Sequence, residues 1–226
     1  MSLKVLSAGA VKRGVAQIAK QYQAGSGETV SVEFDTAPSL SERLKTGECA
    51  DVVVLPPAIL DELAGAGLAD NARRGYIGRS RVGVFVRRGE PLPDVSSVSD
   101  LKQAVFACAA VIYNTASSGL YIERMLEKFG LYESVAARIV KVNSGAAVME
   151  RVAAHAGAIG FGQLSEIRVQ LDKGVAIAFA GPLPDEVQNT TPYDAAATSD
   201  APHAGAFVTA LTSEAARTLF AATGID

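Results

Sequence analysis

The sequence has no tryptophan, and cysteine and histidine occur only twice each. Two cysteines, Cys49 and Cys108, make neither a disulfide framework nor a metal cluster. Both read as small buried residues near strands. His155 and His203 stand far apart and lack the grouping of a metal centre. Long hydrophobic runs are also missing. The longest, "AVFACAAVIY", covers about ten residues, half the roughly 20 that a membrane-spanning helix needs. Charge of one sign is not in excess: 21 basic and 24 acidic residues leave a net charge of −3, with no long basic run. Neither membrane insertion nor nucleic-acid binding is expected. A strand-like "LKVLS" starts at Leu3, so no signal peptide is visible. The chain therefore reads as cytoplasmic, or as a periplasmic protein whose leader has been removed.

Motifs of familiar chemistry are lacking too. There is no G-x-x-x-x-G-K-[ST] and no G-x-G-x-x-G after a strand, so no nucleotide cofactor is expected, nor any other. "GRSRVG" is not a G-x-S-x-G elbow, because its second glycine comes one place late. Ser99 and Lys102 form S-x-x-K, but "SVSDLK" reads better as the capped start of a short helix.

What is present is strand–helix alternation in a chain of 226 residues that is 49% apolar, enough for one large or two small cores. "LKVLS" precedes a helix striped by Val11, Val15, Ile18 and Tyr22. "VSVEF" precedes one with Leu40 and Leu44, and "DVVVL" one with Ile59, Leu60 and Leu63. The strands read as buried on both faces of a parallel sheet. "VGVFV" and a Pro-rich stretch interrupt this rhythm. A second series follows: "AVFACAAVIY", a helix with Ile122, Met125, Leu126 and Phe129 stopped at Gly130, "RIVKV", "GAAVMERVAAH", "AIGFGQ" and "VAIAFAG". Two helices close the chain and are expected to return to the first domain. The fold class is α/β, in two domains. Lobe 1 is expected over residues 1–82 and 185–226 and lobe 2 over 83–184, with hinges at "RVGVFV" and near "AFAGP".

Four turns share a character: "SAGAVKRG", "DTAPSLSER", "NTASSGLY" and "VNSGAAVM". Each is rich in small residues and opens a helix after a strand, where open α/β sheets bind ligands. Free N–H groups and the positive helix end suit an anion. Ordinary capping selects the same residues, and both readings stand. Lys12 and Arg13 begin the first helix against its dipole, which fits an anionic partner or plain solvation. Arg79, Arg81, Arg87 and Arg88 flank "VGVFV". They are solvated, or one of Arg79 and Arg81 pairs with a ligand carboxylate. Tyr113 and Asn114 end a strand, where packing and ligand contact are equally open.

"SAGAVKRGVAQIAKQY", "LSERLKTGECADVVVLPPAILDELAGAGL", "ASSGLYIERMLEKFGLYE", "AAVMERVAAHAGAIGFGQLSEI" and "LTSEAARTLFAATGI", in that order, resemble the type II periplasmic solute-binding proteins, nearest the molybdate-binding branch. The resemblance spans nearly the whole chain. It implies two doubly wound α/β lobes joined by crossover hinge strands, a small anionic ligand clamped between them, and delivery to a membrane transporter permease of the ABC type by a monomer without a cofactor. The resemblance carries backbone donors over to Ser118 and Ser144; the expected ligand set adds the backbone at Ala8, Gly9 and Ala10, donors at Thr36, Ser39, Ser117 and Gln163 that suit a longer ligand, and Arg81 for a carboxylate. The molybdate branch has a serine where this chain has Ala10, serines where it has Ala37 and Pro38, and a tyrosine where it has Gln163. These departures point to an organic anion bearing carboxylates rather than to molybdate or another oxyanion. Relatives also include an aconitate isomerase, so a cofactor-independent isomerase of a tricarboxylic acid is the enzymatic alternative, with Asp35, Tyr113 and His155 as proton carriers.

Overall fold

The computed structural model describes residues 2–115 and 117–226; the Ser117 side chain lies outside what is described. Among the described residues there are nine strands and ten α-helices. The chain forms two compact units. Unit 1 runs through Ser80 and resumes at Thr191; unit 2 is Arg81–Thr190.

Unit 1 contains β1 (Ser2–Ala8), α1 (Lys12–Ser26), β2 (Thr29–Asp35), α2 (Ala37–Lys45), β3 (Val52–Leu55) and α3 (Pro57–Gly65). Strand β4 (Asp70–Arg87) carries the chain out, and β9 (Thr190–Ala197) brings it back to α9 (Pro202–Thr212) and α10 (Glu214–Ala222). β1 pairs in parallel with β2 and β3, and β3 pairs antiparallel with β9. One sheet face packs Val5, Val52 and Val54 against Val15 and Ile18 of α1, Phe207 and Leu211 of α9, and Phe220 of α10. The other packs Leu6, Val53 and Leu55 against Leu40 and Leu44 of α2 and Leu60 and Leu63 of α3. β1 and β3 are thus covered on both faces, as expected of inner parallel strands. β2 is not, because it pairs only with β1 along this sheet and alternates exposed with half-buried positions. Its Glu33 points into an ion-pair group with Lys4 and Arg43.

Unit 2 holds the end of β4, α4 (Val98–Ala107), β5 (Ala110–Asn114), α5 (Ser117–Lys128), α6 (Tyr132–Val135), β6 (Ile139–Val142), α7 (Gly145–Ala154), β7 (Ala158–Gln163), α8 (Leu164–Asp172) and β8 (Ile177–Pro182). β5 pairs in parallel with β6 and β7; β4 pairs antiparallel with β7 and β8. Val84, Val111 and Phe161 face Leu101, Val105, Ile122, Met125 and Leu126. Phe85, Ile112 and Ala158 face Val148, Met149, Val152 and Ile167. Gly130 adopts φ 70°, the left-handed stop expected after α5.

Several expectations change. "AVFACAAVIY" is not one strand. Ala104–Ala107 finish α4, where Leu101 and Val105 are buried one turn apart and Phe106 is 61% exposed; β5 begins at Ala110. The two units divide between Ser80 and Arg81 inside β4, where the "RVGVFV" segment begins, and between Thr190 and Thr191 inside β9. "AFAGP" belongs to β8, which pairs with β4 within unit 2. Cys49 is exposed beside the Gly47 turn, and Cys108 is only partly buried. No described helix is long and apolar enough to cross a membrane.

Candidate functional site

In each unit the parallel strands bring small-residue turns side by side at their carboxyl ends. In unit 1, Ala8 pairs with Asp35, and a β-carbon on Gly9 would lie 3.9 Å from the Asp35 carbonyl oxygen. Ala8 is buried at the end of β1, and Gly9–Val11 form one turn of 3-10 helix leading into α1. No side chain caps this helix, and its first turn holds no acid. Ala10 packs against the core instead of offering a hydroxyl. Lys12 places Nζ 5.3 Å above the ring of Phe34.

The second turn is occupied by its own carboxylate. Asp35 accepts the Thr36 N–H at 2.7 Å and the Ser39 hydroxyl at 2.6 Å. These bonds, the Ser39 hydroxyl first, hold Asp35 below the usual carboxylate range. The Thr36 oxygen caps α2 by accepting the Ser39 N–H at 3.4 Å. Ser39 therefore spends its hydroxyl on Asp35, while the Thr36 hydroxyl is exposed and keeps its proton to donate.

In unit 2 the turns after β6, β5 and β7 lie along one sheet edge, because these three strands run parallel. Asn114 ends β5 and is buried. Its Oδ1 accepts the Gly119 N–H at 3.2 Å, and its Nδ2 donates to the Ser118 oxygen at 3.2 Å. Asn114 thus fills the start of α5 and ties down Ser118. Gly119, one of the small residues crowded there, has a packing cause: a β-carbon on it would stand 1.6 Å from the Asn114 carbonyl oxygen. Ser144 is exposed and caps α7, accepting the Ala147 N–H at 3.2 Å. Gln163 ends β7 and is half-buried, and Arg81 is half-buried in β4. Arg79, in contrast, is exposed in unit 1, its backbone paired with Asp226.

The sequence reading passed over Glu166, in the first turn of α8. Its carboxyl lies against Gly145 at the start of α7: a β-carbon there would be 1.8 Å from Oε2. Desolvation raises its pKa. An acid three residues into a helix is an ordinary choice for the dipole, so nothing local marked it. Among the described residues, no group of three or more His, Cys, Asp or Glu is arranged to hold a metal ion.

Known proteins resemble this chain in sequence or in fold. An aconitate isomerase from a Pseudomonas species is 31% identical over 212 residues, which covers 89% of this chain and 78% of that protein. The periplasmic molybdate-binding protein of Azotobacter vinelandii superposes with a TM-score of 0.75 at 19% identity, over 99% of this chain and 98% of that one. PEB3, a protein of Campylobacter jejuni, superposes in its L-phospholactate-bound structure with a TM-score of 0.71 at 14% identity, over 98% of each chain. The two structures establish the fold, the two-lobed α/β fold of periplasmic binding proteins. The sequence profile described as "Bacterial extracellular solute-binding protein" matches residues 3–226, and the chain belongs to that family.

Proposed function

We propose that this protein binds a small organic anion bearing carboxylates, of the aconitate class, outside the cytoplasmic membrane. One observation carries the anion part of this reading. α1, α2, α5 and α7, the helices that follow the four small-residue turns, have no acid in their first turns. α3 and α9 also have none, while α4, α6, α8 and α10 each have one. Asp35 sits at the start of α2 and Glu166 against that of α7, so the positive ends of α1 and α5 are the ones this observation offers to an anion. The donors assigned are the backbone at Ala8, Gly9 and Ala10 and the Thr36 hydroxyl in unit 1, and Ser118, Ser144, Gln163 and Arg81 in unit 2. Of Ser39, only a hydroxyl already given to Asp35 remains.

The carboxylate part is supported by the aconitate isomerase relative. The molybdate-binding neighbour favours an inorganic oxyanion instead. Against that stand Ala10 and Ala37, which offer no hydroxyl, and Pro38, which lacks even an N–H. Each donor lost to a buried charged ligand costs about 1.5–3 kcal/mol. A thermal-shift screen with molybdate, sulfate, phosphate, tricarballylate and both aconitates tests the reading, since a specific ligand raises the melting temperature by mass action. Tricarboxylates should give the shift. A large shift with molybdate and none with any carboxylate would overturn the proposal.

A second reading adds turnover. The same 31% relative favours isomerisation of aconitate rather than delivery to a transporter permease. Proton NMR of cis- and trans-aconitate incubated with the protein separates the two, since a pure binding protein leaves their ratio unchanged.

A further inference from the structure

We infer that Glu166 is the group that removes and returns the proton in aconitate-type isomerisation, an inference that rests on the isomerase reading above. The carriers expected from sequence are badly placed for this work. Asp35 already accepts two hydrogen bonds and sits below the usual carboxylate range, which makes it a weak base. Tyr113 is buried in the core of unit 2, and burial pushes its pKa up, so its hydroxyl stays neutral. His155 follows the last residue of α7, a helix of 10 residues that places it about 15 Å from the Ser144 end.

Glu166 differs on each count. It follows Gln163 by one turn, on the helix that β7 leads into. Its Oε2 would be 1.8 Å, and its Cδ 2.8 Å, from a β-carbon at Gly145. Ser144 caps that same helix start. The carboxyl therefore abuts the turn where ligand carboxylates are proposed to lie. No described residue gives it a hydrogen bond or an ion pair, and desolvation alone shifts it, upward. A carboxylate raised in this way is a stronger base than one in water. The positive end of α7 offsets the charge of an anionic ligand brought beside it.

The chemistry balances without any co-reactant. Ionised Glu166 takes a proton from the methylene carbon of the ligand. That C–H bond breaks, and its electron pair spreads over the three-carbon backbone and its carboxylates. The protonated Glu166 then returns the proton to the opposite terminal carbon. A C–H bond forms there, and the double bond re-forms between the central carbon and the former methylene. Nothing is oxidised or reduced, and the carboxyl ends as it began.

The test compares wild type, Glu166→Gln and Glu166→Asp in deuterated buffer with trans-aconitate. Binding is read by thermal shift; isomerisation and deuterium incorporation are read by proton NMR. Glu166→Gln should keep the thermal shift while losing turnover by at least about a hundredfold, the lower range for general acid–base catalysis, and Glu166→Asp should recover part of it. If wild type turns over and Glu166→Gln stays within about threefold of it, Glu166 is not the proton carrier, and the isomerase reading stands. If wild type binds trans-aconitate but neither isomerises it nor exchanges its methylene protons, the isomerase reading falls and takes this inference with it. Should Glu166→Gln fail to fold, Glu166→Asp decides: turnover reduced with binding kept supports the role, and full turnover overturns it.

Discussion

The carbonyl oxygen of Asn114 lies 1.6 Å from the point a β-carbon on Gly119 would occupy, so α5 starts directly on the backbone that ends β5. The obstacle is a strand carbonyl, fixed by pairing of Asn114 with Val142. It cannot rotate out of the way as a side chain can. Gly119→Ala should cost about 3 kcal/mol, the upper end of what overpacking takes from a fixed core. Urea unfolding measures it. A loss below about 0.5 kcal/mol would mean that the β5–α5 junction gives way far more easily than its geometry allows.

Much of the architecture was legible because the inner elements obey simple periods. Val52–Leu55 is a short apolar run and proved buried throughout. Ile122, Met125 and Leu126 repeat at helical spacing and all face the core. The failures have equally definite causes. β9 is built from "TTPYDAAA", and the three alanines that bury its end carry little strand preference. The first half of β4 is polar and carries no alternation to betray it. In "AVFACAAVIY" a helix end and a strand start are both apolar, and periodicity over so few residues does not separate them. At the candidate site, turn positions could be read but occupancy could not. That Ser39 gives its hydroxyl to Asp35, or that Glu166 reaches Gly145, depends on rotamers and on contacts between elements far apart in sequence.

Acid should weaken unit 1 through Glu48. Arg43 donates to it through Nε at 2.5 Å and Nη2 at 2.6 Å, and Lys4 adds a bond at 2.8 Å. These partners, Arg43 first, bring its pKa from 4.5 down to about 2. A carboxyl whose folded pKa is depressed contributes stability that is complete above the unfolded value and is lost as pH falls through the folded one. Wild type should therefore exceed Glu48→Gln in urea midpoint above pH 4.5, and the gap should close as pH approaches 2. A gap unchanged between pH 7 and pH 2 would show that the ion pairs contribute nothing that ionisation controls. Because the group is solvent-accessible, the gap should also shrink in high salt.

Gly145 presents the opposite case to Gly119. A β-carbon there would also collide, at 1.8 Å, but the atom it meets is Oε2 of Glu166, the far end of a flexible side chain. Rotation about the Glu166 side chain relieves the clash without moving the backbone. Gly145 is also the first residue of α7, where alanine is a better helix former. Gly145→Ala should thus cost less than about 1 kcal/mol of stability, well short of Gly119→Ala. Its effect on chemistry should be large, because it displaces the carboxyl assigned to carry the proton. Aconitate turnover should drop by about tenfold or more. In the double variant with Glu166→Gln the two losses should not add, because both remove the same carboxyl from the same place. Fully additive losses would mean that Gly145 and Glu166 act on turnover separately, and the contact between them would then carry no part of the mechanism.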